Sequence, residues 1–158
     1  MKIKRNILRL SLILSVFFIA HCANRAHDRE YADIEDQVYE LINQHRSNQG
    51  LEKLDWNNII AEQCLIHSKN MADGSVEFGH SGFNERVENI KKEMTTLGAG
   101  ENVAYNLGQT DPAQAAVSAW LESPGHRQNI EGNYQLTGVG VAREDDIYYL
   151  TQIFIRNK

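Results

Sequence analysis

The chain is organised around one stretch, Ser123-Pro124-Gly125-His126-Arg127-Gln128-Asn129-Ile130. It follows an apolar helical run that ends at Trp120 and Leu121, and it precedes a pair of predicted strands. Pro-Gly is a turn signal, and residues in turns keep their side chains accessible. We therefore expect a turn here that presents the imidazole of His126 at the end of a helix.

Two earlier glycine-rich stretches each hold one titratable residue. They read Phe78-Gly79-His80-Ser81-Gly82-Phe83 and Gly98-Ala99-Gly100-Glu101-Asn102-Val103-Ala104. Glycine lets the backbone bend closely around a site. Our hypothesis is that His80, Glu101 and His126 meet in one cleft.

Composition indicates one globular domain with a real core, since the chain has 158 residues, 23% of them charged and 42% hydrophobic. The formal net charge is −5. Residues 1–21 carry four basic side chains and no acidic one, so their removal would leave −9. A domain this acidic is repelled by phosphate, and we therefore expect no nucleic-acid partner.

Residues 1–21 are typical of a lipoprotein signal peptide. A basic segment over residues 2–9 precedes an apolar segment over residues 10–20, which is too short to span a bilayer comfortably. The segment ends in Ile19-Ala20-His21-Cys22, which resembles a bacterial lipobox. Cleavage would then precede Cys22, which would become acylated. A plain secretory signal with an incidental cysteine is the alternative.

Lipidation at Cys22 would place the protein in the bacterial cell envelope as a membrane lipoprotein, since three acyl chains anchor stably. The outer-membrane surface is one location that this allows. Residues 22–32 are predicted to be a polar tether, followed by a folded domain over residues 33–158. The second cysteine, Cys64, falls in a helical apolar pattern and is predicted to be a small buried hydrophobe.

The spacing of apolar residues predicts four helices. The first begins after an N-cap at Asp33 and ends at Gly50, and the second runs from Asn57 or Asn58 to Ala72. The third follows His80, and the fourth begins at Asp111-Pro112. In the third helix, Phe83, Val87, Ile90 and Met94 share one face, with Arg86, Glu88, Lys91 and Lys92 placed on other faces.

Strands are predicted late in the chain. Gly98 and Gly100 read as a turn before a short strand at residues 103–105, and residues 136–142 and 147–155 read as a hairpin turning at Asp145-Asp146. Glycines at 138 and 140 would permit the close approach of another backbone. This order predicts an α+β fold with helices covering a small antiparallel sheet. His67 reads as a core residue with one satisfied nitrogen, and His45 as a helix-end residue.

Seven motifs follow one another along residues 34–155. They are Asn43-x-x-Arg46, Leu54-x-Trp56, Gly79-His80-Ser81, Gly100-Glu101-Asn102-Val103-Ala104, Trp120-x-x-Ser123-Pro124-Gly125-His126-x-x-Asn129-Ile130, Gly138-Val139-Gly140 and Tyr149-x-x-Gln152-x-Phe154. Together they resemble the CAP superfamily of cysteine-rich secretory, antigen-five and pathogenesis-related-one proteins, also called the SCP domain, and its short bacterial branch in particular. The resemblance implies a three-layer α–β–α sandwich around a central antiparallel sheet.

The resemblance also implies a cleft lined by two histidines and two acidic residues. His80 and His126 match the histidines, and Glu101 matches the acid of the Gly-Glu-Asn motif. Glu122 is the nearest match to the second acid, although its spacing from Trp120 is one residue shorter than in eukaryotic members of the family. Relatives bind sterols or other lipids, and some have been proposed to be proteases.

The cleft residues are compatible with more than one chemistry. Two imidazoles and a carboxylate could bind zinc at His80 and His126, and such a site could activate water. Glu101 could instead orient an imidazole, or the cleft could be a polar network that stabilises loops. The sequence has no Gly-x-Ser-x-Gly nucleophile motif.

We therefore expect a membrane-anchored lipoprotein, and the sequence favours a binding protein over an enzyme. Its ligand would be a lipid, a sterol or a host factor, held in the histidine-lined cleft without a required cofactor. Two alternatives stay open: a zinc-dependent hydrolase that uses His80, Glu101 and His126, and a structural or interaction protein whose cleft only stabilises loops.

Overall fold

The computed structural model describes residues 31–158. The predicted signal peptide, the lipidation site Cys22 and most of the predicted tether lie outside the described residues. Helix α1 is described over residues 31–48, so Tyr31 and Ala32 belong to the helix and not to the tether. The predicted N-cap at Asp33 is wrong for the same reason, because the helix already includes the residues before it. Gly50, with φ of 72°, follows the helix in the left-handed conformation expected of a C′ glycine.

Four helices and four strands follow α1. They are β1 (Asp55–Trp56), α2 (Asn58–Ala72), α3 (Phe83–Glu93), β2 (Gly98–Leu107), α4 (Pro112–Glu122), α5 (Pro124–Ile130), β3 (Leu136–Glu144) and β4 (Ile147–Arg156). The side chain of Asn57 caps α2, and that of Asp111 caps α4 at the position where the sequence predicts a helix start.

The strands form one sheet in the order β1-β3-β4-β2. Strand β4 lies in the centre and pairs antiparallel with both β2 and β3, and the β3–β4 hairpin turns at Asp145, whose φ is 53°. The two-residue strand β1 pairs parallel with β3. The predicted antiparallel sheet is thus confirmed, with one short parallel strand added at its edge.

Helices cover both faces of the sheet, which confirms the α+β fold and the three-layer sandwich. Alternation along β4 separates the two faces: Leu150 and Phe154 point into one core, and Ile153 and Ile155 into the other. The first core is closed by α1, α4 and α5, where Trp120 is the largest fully buried side chain. The second core is closed by α2 and α3 through Ile60, Cys64 and Ile90. Cys64 is fully buried, as predicted.

Helix α2 lies directly on β3 because two strand residues have no side chain. A Cβ atom added at Gly138 would stand 2.2 Å from the backbone nitrogen of Ala61, and one at Gly140 would stand 2.1 Å from that of Leu65. The hydroxyl of Ser68 donates to the carbonyl of Gly140 at 2.8 Å across the same contact. The predicted close approach of a backbone to these glycines is confirmed.

Two local predictions are wrong. Gly98 and Gly100 do not form a turn but begin the ten-residue strand β2, where Gly100 makes room for the side chains of Asn129 and Tyr134. The Pro-Gly pair before His126 is not a turn but the start of helix α5, since proline is well suited to the first helical position. Within residues 31–158, no helix is both long enough and apolar enough to cross a lipid bilayer.

Candidate functional site

His80 lies in the loop between α2 and α3, and its side chain is 52% exposed. Its Nδ1 atom lies 2.9 Å from Oε1 of Glu101, whose carboxylate on β2 is 1% exposed. An ionised carboxylate only accepts hydrogen bonds, so Nδ1 is the donor of this pair. Nε2 of His80 makes no hydrogen bond within residues 31–158, so it is available to a ligand.

Glu101 is held from the other side by Arg86 on α3. Arg86 Nε donates to Oε2 at 2.9 Å, and Nη2 donates to Oε1 at 2.8 Å and to Oε2 at 2.7 Å. Both side chains are buried, and Arg86 Nη1 also donates to the carbonyl of Ser81 in the His80 loop. The carboxylate thus accepts four hydrogen bonds and fixes the imidazole of His80 in one orientation.

Arg86 is the site residue that the sequence analysis missed. The helical pattern placed it away from the apolar face, yet it is 7% exposed and lies under the loop that carries His80. A buried carboxylate needs a cation or several donors, which was the one available signal that Glu101 had a partner. Nothing in the sequence distinguished Arg86 from the neighbouring lysines as that partner.

His126 is half-buried on α5, and two asparagines join this helix to β2. Asn102 donates to the carbonyl of His126 at 3.1 Å, and Asn129 donates to the carbonyl of Glu101 at 3.0 Å. Burial lowers the pKa of His126, and the electrostatic effect of the nearby His80 lowers it further. The structure thus brings His80, Glu101 and His126 to one site, where the imidazole of His126 is neutral near pH 7.

The structure does not bring Glu122 into this group. It is exposed at the last residue of α4, and its carboxylate makes no hydrogen bond or ion pair within residues 31–158. His67 is a core residue with one satisfied nitrogen, as predicted, because its Nε2 lies 2.7 Å from the carbonyl of Gly79 and burial lowers its pKa. His45 lies 2.9 Å from Oε1 of Glu131.

An exposed aromatic pair lies beside the site and was also missed. Phe78 and Tyr105 pack edge to face with 4.9 Å between ring centroids, and they are 47% and 57% exposed. Phe78 stands two residues before His80, and Tyr105 lies on the same face of β2 as Glu101, four residues further along. This pair gives the histidine site an apolar margin.

The donor set available to a metal is limited to two imidazoles. No group of three or more His, Cys, Asp or Glu side chains within the described part of the chain is arranged to hold a metal ion. Glu101 cannot serve as a third ligand while Arg86 and His80 engage both of its oxygens. His80 and His126 alone do not supply the three protein ligands that are typical of zinc hydrolases.

Comparison with known proteins gives a consistent assignment. Residues 39–154 match the model of the CAP family, described as the cysteine-rich secretory protein family. The chain is 35% identical over 127 residues to an uncharacterized membrane protein of Bacillus subtilis, YlbC. The aligned region covers 77% of this chain and 34% of YlbC.

Solved structures agree with this match. An extracellular protein of Bacillus anthracis that contains an SCP domain superposes with a TM-score of 0.63 at 32% identity, covering 80% of this chain and 41% of that protein. An outer surface protein of Borrelia burgdorferi shares the fold with a TM-score of 0.69 at 18% identity, over 80% of this chain and 94% of that one. The chain spans less than half the length of the two Bacillus proteins. On the evidence of its sequence match, its three layers and its histidine site, the chain belongs to the CAP family of cysteine-rich secretory proteins.

Proposed function

We propose that this protein is a non-enzymatic binding protein of the bacterial cell envelope, whose CAP domain holds a ligand at the cleft of His80 and His126. The observation that carries the proposal is the full engagement of Glu101 by Arg86 and His80. A general base needs a carboxylate with a free lone pair facing the substrate, and this carboxylate has none to spare. Glu101 is suited to fixing His80 as a binding group.

A location in the envelope is supported by the signal-like N-terminal sequence and by the names of similar proteins, one a membrane protein and another extracellular. Anchoring through lipid at Cys22 is the finer part of the proposal. Palmitate labelling of cells that express the wild-type protein or Cys22→Ala tests it. We expect the label only in the wild type, and equal labelling of both would reject the anchor.

The proposed ligand is a lipid or sterol, and a host factor is the other candidate. The exposed pair Phe78 and Tyr105 supports an amphipathic ligand, because its apolar body would pack on the two rings. Its polar group would then reach Nε2 of His80 and the neutral imidazole of His126. Binding sites of this kind combine an apolar surface with a few placed polar groups.

Titration of the protein with cholesterol and with palmitate tests this ligand class. We expect saturable binding that weakens at least tenfold in Phe78→Ser/Tyr105→Ser and in His80→Gln/His126→Gln. Leu97→Ser is the matched control, because Leu97 is 58% exposed just before the opposite end of β2. Absence of saturable binding to the folded wild type, or equal loss in the control, would reject a lipid ligand at this cleft.

The variant His126→Ala separates the two alternatives. A hydrolase would lose turnover in His126→Ala while its fold persists, but the two-imidazole donor set does not favour it. If the cleft only stabilised loops, His126→Ala would lower the melting temperature and leave all binding unchanged. If His80 and His126 held a zinc ion, the metal would supply a positive charge that attracts an anionic group of a ligand.

A further inference from the structure

We infer that the groove between α2 and α3 is a second binding site, which takes a neutral sugar. The groove lies on the outer side of the His80 loop and has a volume of about 350 Å³. This is within the range of about 300–1,000 Å³ that is usual for small-molecule sites. The groove therefore has room for a small ligand, and its walls indicate which chemistry that ligand has.

One wall presents amide groups that are already oriented. Lys92 Nζ donates to Oδ1 of Asn89 at 2.8 Å, and Asn89 Nδ2 donates to Oε1 of Gln63 at 3.1 Å. This chain leaves the amino group of Gln63 as a donor with a fixed orientation, and each bond in it polarises the next. Asn70, about two turns further along α2, adds an amide whose side chain has no hydrogen bond within residues 31–158. Together they offer donors and an acceptor without net charge.

The charges around the groove do not favour an anionic ligand. Arg86 lines the groove, but its guanidinium is neutralised by Glu101. Glu85, which is exposed on the lining, adds a negative charge, and Lys92, which donates to Asn89 of the lining, adds a positive one. The groove therefore carries no net charge, while the net charge of −5 on the whole chain repels an anion and not a neutral ligand.

The apolar part of the lining is too small for a lipid and suits one face of a sugar ring. Ile66, which is 45% exposed, and Val76 supply that part of the surface. The amides of Gln63 and Asn70 would bind hydroxyl groups, while Ile66 would contact the C–H face of the ring. A neutral sugar matches this combination of amide groups and a limited apolar surface.

Saturation-transfer difference NMR on the full-length protein, in a detergent without a sugar headgroup, tests the site. The probes are glucose, N-acetylglucosamine and its β1,4-linked dimer, with glucuronate as the charged comparator. We expect saturation transfer to at least one neutral probe and at least fivefold weaker transfer to glucuronate. We expect the signal to fall at least fivefold in Gln63→Leu and in Asn70→Leu.

Gln44→Leu is the matched control, since Gln44 is an exposed glutamine on the outer face of α1, in a different surface groove. Asn70→Leu removes no hydrogen bond of the fold, so it stays informative if Gln63→Leu is unstable. Circular dichroism verifies that each variant is folded. The inference is overturned if no neutral probe shows transfer, if glucuronate matches the neutral probes, or if Asn70→Leu behaves like Gln44→Leu.

Discussion

Arg86 and Glu101 form a buried bidentate ion pair that joins α3 to β2, with Nε donating to Oε2 at 2.9 Å and Nη2 donating to Oε1 at 2.8 Å. The same carboxylate accepts the Nδ1 proton of His80. The pair therefore has two roles, since it closes the second core and orients an imidazole at the surface. Loss of one partner would leave an uncompensated charge in a site where both side chains are buried.

Arg86→Met should lower the free energy of unfolding by about 3–5 kcal/mol, because it leaves Glu101 buried without its cation. Arg86→Met/Glu101→Leu should recover most of that loss, since it removes both charges from the core. Urea unfolding measures both effects. Glu88→Ala is the control, because it breaks the exposed ion pair with Lys91 and should cost less than about 1 kcal/mol. A loss in Arg86→Met no larger than that of the control would contradict this account.

Sequence reasoning selected His80, Glu101 and His126 as candidate site residues but did not select Arg86, which pairs with Glu101. Glycine-rich context and motif order were enough to select His80, Glu101 and His126, because these signals are local. Arg86 was placed away from the apolar face because helical periodicity ranks residues by hydrophobicity, and a buried arginine departs from that pattern. Its partner lies 15 residues away on a different element, which no local pattern encodes.

The layers of the fold were predicted correctly, but the start of strand β2 and the helix α5 were predicted to be turns. Turn signals were given more weight than tertiary contacts at Gly100 and at Pro124. Position 100 lies in a strand and holds glycine because a Cβ there would stand 2.8 Å from Oδ1 of Asn129. This contact exists only in the folded protein. Pro124 starts a helix because its missing N–H is not needed at that position. Glycine and proline occur both in turns and at positions such as these, so the residue type alone does not distinguish a turn from a strand or a helix start.

Gly140→Ala should destabilise the protein by about 3 kcal/mol or more, because the new methyl group would stand 2.1 Å from the backbone nitrogen of Leu65. The contact cannot relax by rotating a side chain, so α2 would have to move away from β3. Thermal unfolding measures the change. Gly125→Ala is the control, since no atom lies within 4 Å of the added Cβ and alanine favours helix α5. Equal melting temperatures for the two variants would contradict the close packing of α2 on β3.

Glu35 should make the stability of the domain depend on pH. Burial raises its pKa from 4.5 to about 7, against the lowering effect of a hydrogen bond from the Val141 backbone N–H. Nearby Asp36 raises the pKa further, and Lys69 lowers it. The folded state thus holds a proton that the unfolded state releases, so this contribution to stability is complete below pH 4.5 and is lost as the pH rises to about 7.

Glu35→Gln isolates this effect, because glutamine keeps an oxygen for Val141 and does not titrate. We expect the wild type to lose about 1–2 kcal/mol more than the variant between pH 4.5 and 8, after allowance for solvent screening of a partly exposed group. Urea unfolding across that range measures it. Glu40→Gln serves as the control, because Glu40 is an exposed carboxylate on the same helix. Parallel pH profiles for wild type and Glu35→Gln would contradict the assignment.

Zinc binding should require both histidines and should depend on how Glu101 orients one of them. We expect saturable calorimetric binding of Zn²⁺ at pH 7.5, absent from His80→Ala/His126→Ala. Glu101→Gln should weaken binding by about 10–100-fold through loss of the carboxylate that fixes His80. Glu122→Gln should bind like the wild type, because Glu122 is exposed and makes no ion pair within residues 31–158. Because the pKa of His126 is lowered, zinc binding should weaken only as acid protonates that imidazole. A folded wild type that binds no zinc would reject the metal-dependent alternative. The exposed aromatic pair Phe78 and Tyr105 would then be the feature of the site that selects the ligand.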